Sequence, residues 1–421
     1  MNIANTPDEL DDFLENVINI SSFKLEETNF LSQTDWNFKD GALSHRTGGF
    51  FDVIGIEDSS KKEHLLLYQP QSALTGLAIC VHQGEIYVLL QARIEPGNSG
   101  IGQYGPTIQS TPANYLALHG GNKTSLLKLF YGYSSQAKPL SSSMQLDLGE
   151  RYFQKSKWHN FVLVKHLFET ENYMKWVSLN TIKKRLFNDN YLNADLRSLL
   201  AVFNWDKLLP KYTINKSYRF DNVILNTLLT NRNLSTIDYR IKPLERLKDW
   251  RITDDSIISD KQGNILVKLY HTHTSNNIRE VAAWNQPLML AQSRGLVSLS
   301  IRKVNQNIEC LLSINKEIGI ENNYLVTTSS IVNPGEPNIE LSLSHDEIVL
   351  HEFIQSDEGG RFYKHESLYR IILIGRDIKI NKNQLWIPLL GLKQILGMSN
   401  IASFQLRCIS SALLFHMNKT L

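Results

Sequence analysis

Apolar and polar positions along the chain fall into two successive series with the same order of elements. The first opens at Thr6-Pro7-Asp8-Glu9, where Thr6 suits an N-cap, Pro7 the first helical position and Glu9 a capping box. Leu10, Phe13, Leu14 and Val17 then share one face of the predicted helix. Ala78 to Val81 and Ile86 to Leu90 are apolar, β-branched runs on either side of His82-Gln83-Gly84-Glu85, which predicts a hairpin. Phe161 to Val164 reads as a further strand. From Ser178 a helix is expected, with Leu179, Ile182 and Leu186 on one face. The second series repeats this with Val297 to Ile301, a turn at Asn305-Gln306-Asn307, Ile308 to Leu312, a strand at Arg370 to Ile374 and a helix from Pro388. Strands mixed with a few helices indicate an α+β architecture.

The repetition extends to individual residues. Gln145-Leu-Asp-Leu-Gly-Glu-Arg-Tyr-Phe153 and Gln355-Ser-Asp-Glu-Gly-Gly-Arg-Phe-Tyr363 stand 210 residues apart and share Gln, Asp, Gly, Arg and an aromatic pair. Trp176 and Trp386, and Leu196-Arg197 and Leu406-Arg407, keep that spacing. Upstream, Trp36 pairs with Trp250, Gln69-Pro70 with Gln286-Pro287, and Glu95 and Gly97 with Glu317 and Gly319, at spacings that drift from 214 to 222. Ordered matches of this length indicate a tandem duplication of one domain rather than a short-period solenoid. The boundary is expected between Tyr212 and Tyr218, giving copies over residues 1–214 and 215–421.

Composition narrows the class. The 421 residues are 42% hydrophobic and 20% charged, and 44 Lys and Arg against 42 Asp and Glu leave a net charge of +2. Such balance argues against a nucleic-acid or membrane-surface protein held by bulk charge. Cys80, Cys310 and Cys408 are odd in number and have no metal-ligand spacing, so a disulfide framework and a cysteine metal site are not expected, and a reducing cytoplasm fits. The acidic N-terminus does not read as a signal peptide, and no apolar run reaches membrane-spanning length.

Two polar stretches stand out. In the first copy Gln91, Arg93 and Glu95 alternate on one face of a continuing strand, Pro96-Gly97-Asn98 ends it, and Gly105-Pro-Thr107-Ile-Gln109 to Asn114-Tyr115 follows. Amides, a hydroxyl, a guanidinium and a carboxylate at a strand end suit a polar ligand such as a sugar, and Arg93 suits a phosphate. Taken alone, Gln91, Arg93 and Glu95 equally fit the solvated face of an edge strand. In the second copy Gln355-Ser356-Asp357-Glu358-Gly359-Gly360-Arg361-Phe362-Tyr363 combines acids, an anion partner and glycines that permit close backbone approach, although a plain β-turn has the same composition. No P-loop, dinucleotide fingerprint, nucleophile elbow or zincin helix is present.

Gln69-Pro70, Leu89-Leu-Gln-Ala-Arg-Ile-Glu-Pro-Gly-Asn98, Gly105-Pro-Thr-Ile-Gln109, Asn114-Tyr115 and Gln355 to Tyr363 resemble the NDP-hexose 2,3-dehydratases of deoxysugar biosynthesis, over roughly Asp8 to Leu414. The resemblance implies two Nudix-like α+β domains, a homodimer and no redox cofactor. It implies a dTDP-4-keto-6-deoxyhexose substrate, from which water leaves across C2 and C3 to give a 3,4-diketo-2,6-dideoxy sugar. It offers Glu95, Asp357, Glu358 and Tyr363 for proton transfer, with Gln91, Arg93, Asn98, Thr107, Gln109, Asn114, Tyr115, Gln355, Ser356, Gly359, Gly360 and Arg361 around the substrate. The metal-binding glutamate run of Nudix hydrolases is missing. Each copy keeps only one of the two family motifs: Ser329-Ser-Ile-Val332 stands where the second copy would have Pro-Thr-x-Gln, and Ser367-Leu368-Tyr369 where the family has Asn-Arg-Tyr. One composite site, built from the first copy's strand end and the second copy's glycine loop, is the expectation. The alternatives are a nucleotide-sugar-binding homologue without activity, or a related lyase or isomerase on another NDP-4-keto sugar.

Overall fold

The computed structural model describes residues 3–417 except 119, 132–133, 209–221, 236–238, 260–264, 276–277, 306, 321–323, 338–345 and 376–377. The expected boundary at Tyr212 to Tyr218 and the turn residue Gln306 lie outside the described residues. The opening helix runs Pro7–Ser21, with the Thr6 side chain accepting from the Glu9 amide and Glu9 reaching back to the Asn5 amide. Such caps stabilise a helix by about 1 kcal/mol. Its buried side, Leu10, Leu14 and Val17, faces the first large sheet, and Ser22 closes the helix at φ 47°.

Among the described residues four mixed sheets carry the fold, two large and two small. In the first large sheet the hairpin strands Ala73–His82 and Glu85–Ile94 meet across Gln83-Gly84, both at positive φ, as a tight two-residue turn requires. Ser156–Val164 runs parallel to Ala73–His82 on its other side, and Ala137–Leu146 pairs antiparallel beyond it. Met174–Ser178 covers the far edge of Glu85–Ile94. The second large sheet repeats this with Gly295–Val304, Asn307–Lys316, Glu366–Ile374, Glu347–Ser356 and Gln384–Pro388 in the corresponding places. Helices follow in both: Leu179–Lys183 capped by Ser178, and Leu389–Gly397 after Pro388. The duplication is therefore present in topology as well as in sequence.

The two halves are interlocked rather than adjacent. Lys24–Thr28, from the first half, pairs antiparallel with Leu269 to His273 in the second half's small sheet. Tyr239–Lys242, from the second, pairs with Gly55 to Asp58 in the first half's small sheet. The buried helices Ala194–Val202 and Phe404–Met417 meet between the halves, with Arg407 Nε donating to Ser198 Oγ at 2.7 Å. One apolar cluster runs through both, from Trp36 and Leu67 to Leu299 and Leu413. Burial on this scale, at roughly 25 cal/mol per Å², makes the halves one cooperative body. No helix among the described residues is long and apolar enough to cross a membrane.

Candidate active site

The strand Glu85–Ile94 delivers Arg93 to the seam between the halves and passes directly into Glu95-Pro96-Gly97-Asn98. There the first copy's turn meets the second copy's glycine loop. The Gly97 amide donates to the Gly359 carbonyl at 2.7 Å, and the Lys364 amide donates to the Gly97 carbonyl at 2.8 Å. No side chain fits this approach, since a Cβ on Gly97 would lie 1.6 Å from the Phe362 carbonyl oxygen. The two polar motifs, far apart in sequence, thus form opposite walls of one pocket within one chain. Its lining includes Arg93, Glu95, Gln109, Asn114, Glu358, Gly360 and Arg361. An adjoining pocket shares Arg93 and Gln109 and adds Gln91, Lys123 and Tyr173.

Charge in this seam is dense and buried. Lys157 Nζ lies 2.9 Å from Asp195 Oδ1, 3.1 Å from Asp147 Oδ2 and 3.1 Å from Glu358 Oε2. Burial opposes its charge, but the three carboxylates outweigh that and hold Lys157 well above the usual lysine range. Burial also works against ionised Glu358, yet Lys157, Lys155 and Arg361 pull its carboxyl far down. Asp195 differs, because burial pushes it up to about 6 against the pull of Lys157. Arg93 donates through Nε and Nη2 to Glu95 Oε1 at 3.0 and 2.8 Å, and through Nη1 to Gln91 and the Gln109 carbonyl. Its fork is therefore already engaged by the protein. Arg361 stacks on Phe51 with its guanidinium carbon 4.5 Å from the ring centroid. Its Nε, like that of Arg279, is buried without a hydrogen-bond partner.

The remaining expected residues serve the walls. Thr107 Oγ1 donates to the Leu89 carbonyl and accepts from the Ala78 amide at 2.9 Å, so it is a brace between strands. Gln91 Nε2 donates to the Thr107 carbonyl. Asn98 Nδ2 donates to the Ile101 carbonyl and holds the turn. Gln355 accepts from Arg197 Nε, and Ser356 accepts from Gln103 Nε2 at 2.7 Å. Gly359 packs on Asn98, Tyr115 meets the Tyr131 ring edge-on, and Tyr363 stacks on Tyr270. Asp357 turns to the opposite side, where its Oδ2 pairs with His365 Nδ1 at 2.6 Å.

Four charged lining residues escaped the sequence reading: Lys155, Lys157, Asp195 and Arg279. The first three had a signal. Lys155 and Lys157 follow the repeated Arg151-Tyr-Phe153, and Asp195 directly precedes the repeated Leu196-Arg197. Their copy-two counterparts at the 210-residue spacing are His365, Ser367 and Gln405, so charge differs where the frame is kept. Arg279 has no pattern around it.

A family model described as NDP-hexose 2,3-dehydratase matches residues 7–203 and again 222–413. The chain belongs to this family. Among its relatives in the family, a dTDP-4-dehydro-6-deoxy-alpha-D-glucopyranose 2,3-dehydratase of Saccharopolyspora spinosa is 25% identical, covering 93% of this chain and 88% of that protein. Enzymes of the same name from Streptomyces violaceoruber and Amycolatopsis orientalis are 23% and 24% identical, covering 88% and 83% of this chain and 88% and 78% of theirs. Among solved structures, the M. smegmatis Nudix hydrolase RenU aligns with 39% of this chain and 99% of its own, at 13% identity and a TM-score of 0.22. An ADP compounds hydrolase aligns with 41% of this chain and 97% of its own, at 14% identity and a TM-score of 0.27.

In this NDP-hexose 2,3-dehydratase family member the seam has a mirror image. The Gly319 amide donates to the Gly149 carbonyl at 2.8 Å, and the Gln154 amide to the Gly319 carbonyl at 2.6 Å. There the counterpart of Glu95 is Glu317, which accepts from the Gly149 amide at 3.0 Å; burial, with Glu150 beside it, pushes its carboxyl up to about 8. Arg151, the counterpart of Arg361, spends its guanidinium on the carbonyls of Glu150 and Pro334 and on His365. The two seams share a backbone frame and differ in what their charges face.

Proposed function

We propose that the chain is a hydro-lyase that removes water across C2 and C3 of a dTDP-4-keto-6-deoxyhexose, giving a 3,4-diketo-2,6-dideoxy sugar. The observation that carries this reading is the pocket at the Gly97–Gly359 seam of a 2,3-dehydratase family member, where buried acids converge with two arginines whose Nε makes no hydrogen bond. A C4 ketone acidifies the C3 proton. A base at C3 and an acid at the C2 hydroxyl then suffice for elimination, and the enol tautomerises to the diketone without any redox cofactor.

Arg279 and Arg361 bind the diphosphate, because each brings to the pocket a buried Nε that makes no hydrogen bond. Arg93 instead holds the Glu95 carboxylate in place through Nε and Nη2. Asp195, raised toward neutrality, supplies the proton that the leaving hydroxide needs. Glu358 holds the second copy's loop on Lys157. The mirror seam contributes no second reaction site, which its self-satisfied Arg151 supports. A homodimer is part of this reading; it rests on the family resemblance and on the edge strand Glu347–Ser356, which leaves Ile348 and Leu350 exposed. Three free, buried cysteines fit a reducing cytoplasm.

The test is incubation of the purified protein with dTDP-4-keto-6-deoxyglucose in deuterated buffer, followed by NMR and mass spectrometry. Loss of water with deuterium entering C2 is expected. An unchanged sugar with dTDP still raising the melting temperature would replace the reaction with binding alone or with another 4-keto substrate.

A further inference from the structure

Two lysines, two residues apart on the first copy's side of the seam, have opposite surroundings. Lys157 is ringed by three carboxylates. Lys155 is equally buried, but its Nζ donates to the neutral amide of Gln69 at 2.8 Å and lies 4.4 Å from the Tyr152 ring centroid. No ion pair holds it among the described residues. Both line the pocket with Asp195, Glu358 and Arg361.

A buried ammonium without a counter-ion surrenders its proton at little cost, and a neighbouring fixed cation lowers that cost further. We propose that Lys155, as the neutral amine, is the general base that takes the C3 proton of the 4-keto sugar, while Lys157 stays charged to organise the acids around it. This rests on the reaction proposed above and adds to it the identity of the base. The groups facing Lys155 are consistent with this role. Burial lowers its proton affinity most, Glu358 and Asp147 raise it, Arg361 and Lys157 lower it, and the outcome is about 8. Two titratable neighbours with environments that drive them apart are the usual arrangement for splitting acid and base duties.

The step closes in atoms and electrons. The Lys155 lone pair takes the C3 proton, the C–H pair becomes the C2=C3 bond, and the C2–O bond breaks as Asp195 protonates the departing hydroxide to water. The enol then collapses: its O–H pair forms the C3 ketone, C2 takes the proton held on Lys155, and the enol proton passes to Asp195. Both groups end as they began.

The experiment compares wild type, Lys155→Arg and Lys155→Ala on dTDP-4-keto-6-deoxyglucose, together with a ¹³C NMR titration of lysine Cε signals assigned by the Lys155→Arg spectrum. Expected are a wild-type kcat/KM that is bell-shaped, falling below about 6 and above about 8, a loss of about 10²- to 10⁴-fold in kcat in both variants with dTDP binding kept, and partial rescue of Lys155→Ala by ethylamine. Turnover of Lys155→Arg within tenfold of wild type would overturn the proposal, since a fixed cation would then suffice. A borohydride-trapped sugar adduct on Lys155 would overturn it in favour of imine chemistry, and titration of Lys155 above pH 10 would overturn it outright. A wild type inert on this sugar while Lys155 still titrates near 8 is a failure of the proposed reaction, recognisable because the titration needs no substrate.

Discussion

The Gly97 amide and the Gly359 carbonyl, 2.7 Å apart, fasten the end of a first-half strand to a second-half loop. Replacing Gly97 by Ala puts a Cβ 1.6 Å from the Phe362 carbonyl oxygen, and replacing Gly319 by Ala puts one 1.9 Å from the Tyr152 carbonyl oxygen. Both substitutions force backbone apart and should cost at least about 1–3 kcal/mol, the range for overpacking. Thermal melts should show similar losses for the two. Turnover should collapse only in Gly97→Ala, and equal collapse in both would contradict a single site.

Lys157→Met strands Asp147, Asp195 and Glu358 in the interior without their shared cation. Removing one partner of a buried ionic cluster costs about 3–5 kcal/mol, so urea unfolding at pH 7 should register a loss of that order. The loss should shrink at pH 5 as carboxylates take up protons. A pH-independent loss would show that packing, not charge, is what Lys157 supplies.

Glu317 gives the mirror seam a measurable pH signature. Its folded carboxyl titrates at about 8 against an ordinary 4.5. Between those values the unfolded chain is ionised and the folded chain is not, so this group makes stability fall as pH rises from about 4.5 to about 8 and has no effect below that window. Glu317→Gln mimics the protonated form. It should be nearly neutral at pH 5, stabilising at pH 8, and harmless to turnover. Denaturant midpoints at the two pH values check the first two expectations; a variant without turnover would refute the third.

Binding stoichiometry separates the two seams directly. Calorimetric titration with dTDP should give one site per chain. Arg279→Ala and Arg361→Ala should each weaken binding and flatten its salt dependence, whereas Arg151→Ala should leave affinity unchanged, because its guanidinium is spent on the carbonyls of Glu150 and Pro334. Two sites per chain, or loss of affinity in Arg151→Ala, would contradict the assignment.

Much of this was legible in the chain because it is local or repeated. The Thr6 cap, the Gln83-Gly84 hairpin and the helices after Ser178 and Pro388 follow from residues a few positions apart, whose spacing sets backbone conformation. The duplication was legible because two copies under one packing constraint keep Trp, Gly and Asp at fixed intervals. The pairing of the Gln91–Asn98 stretch with the Gly359 loop was expected from complementary loss of motifs, and the fold does bring the two together.

Tertiary structure alone decided which side chains face the pocket. Thr107, Gln355, Ser356 and Tyr363 have suitable chemistry, but strand register turns them into braces and stacking partners. Asp357 and Glu358 are adjacent, and the loop just past the strand Glu347–Ser356 sends one to His365 and the other to Lys157. The exchange of Lys24–Thr28 and Tyr239–Lys242 between halves could not be foreseen either, because pairing over such sequence separations is set by the total burial it achieves rather than by local pattern. The same holds for Lys155 and Lys157. Sequence makes them two alike lysines; only the placement of Asp147, Asp195 and Glu358 from three distant segments makes one a fixed cation and leaves the other without a counter-ion.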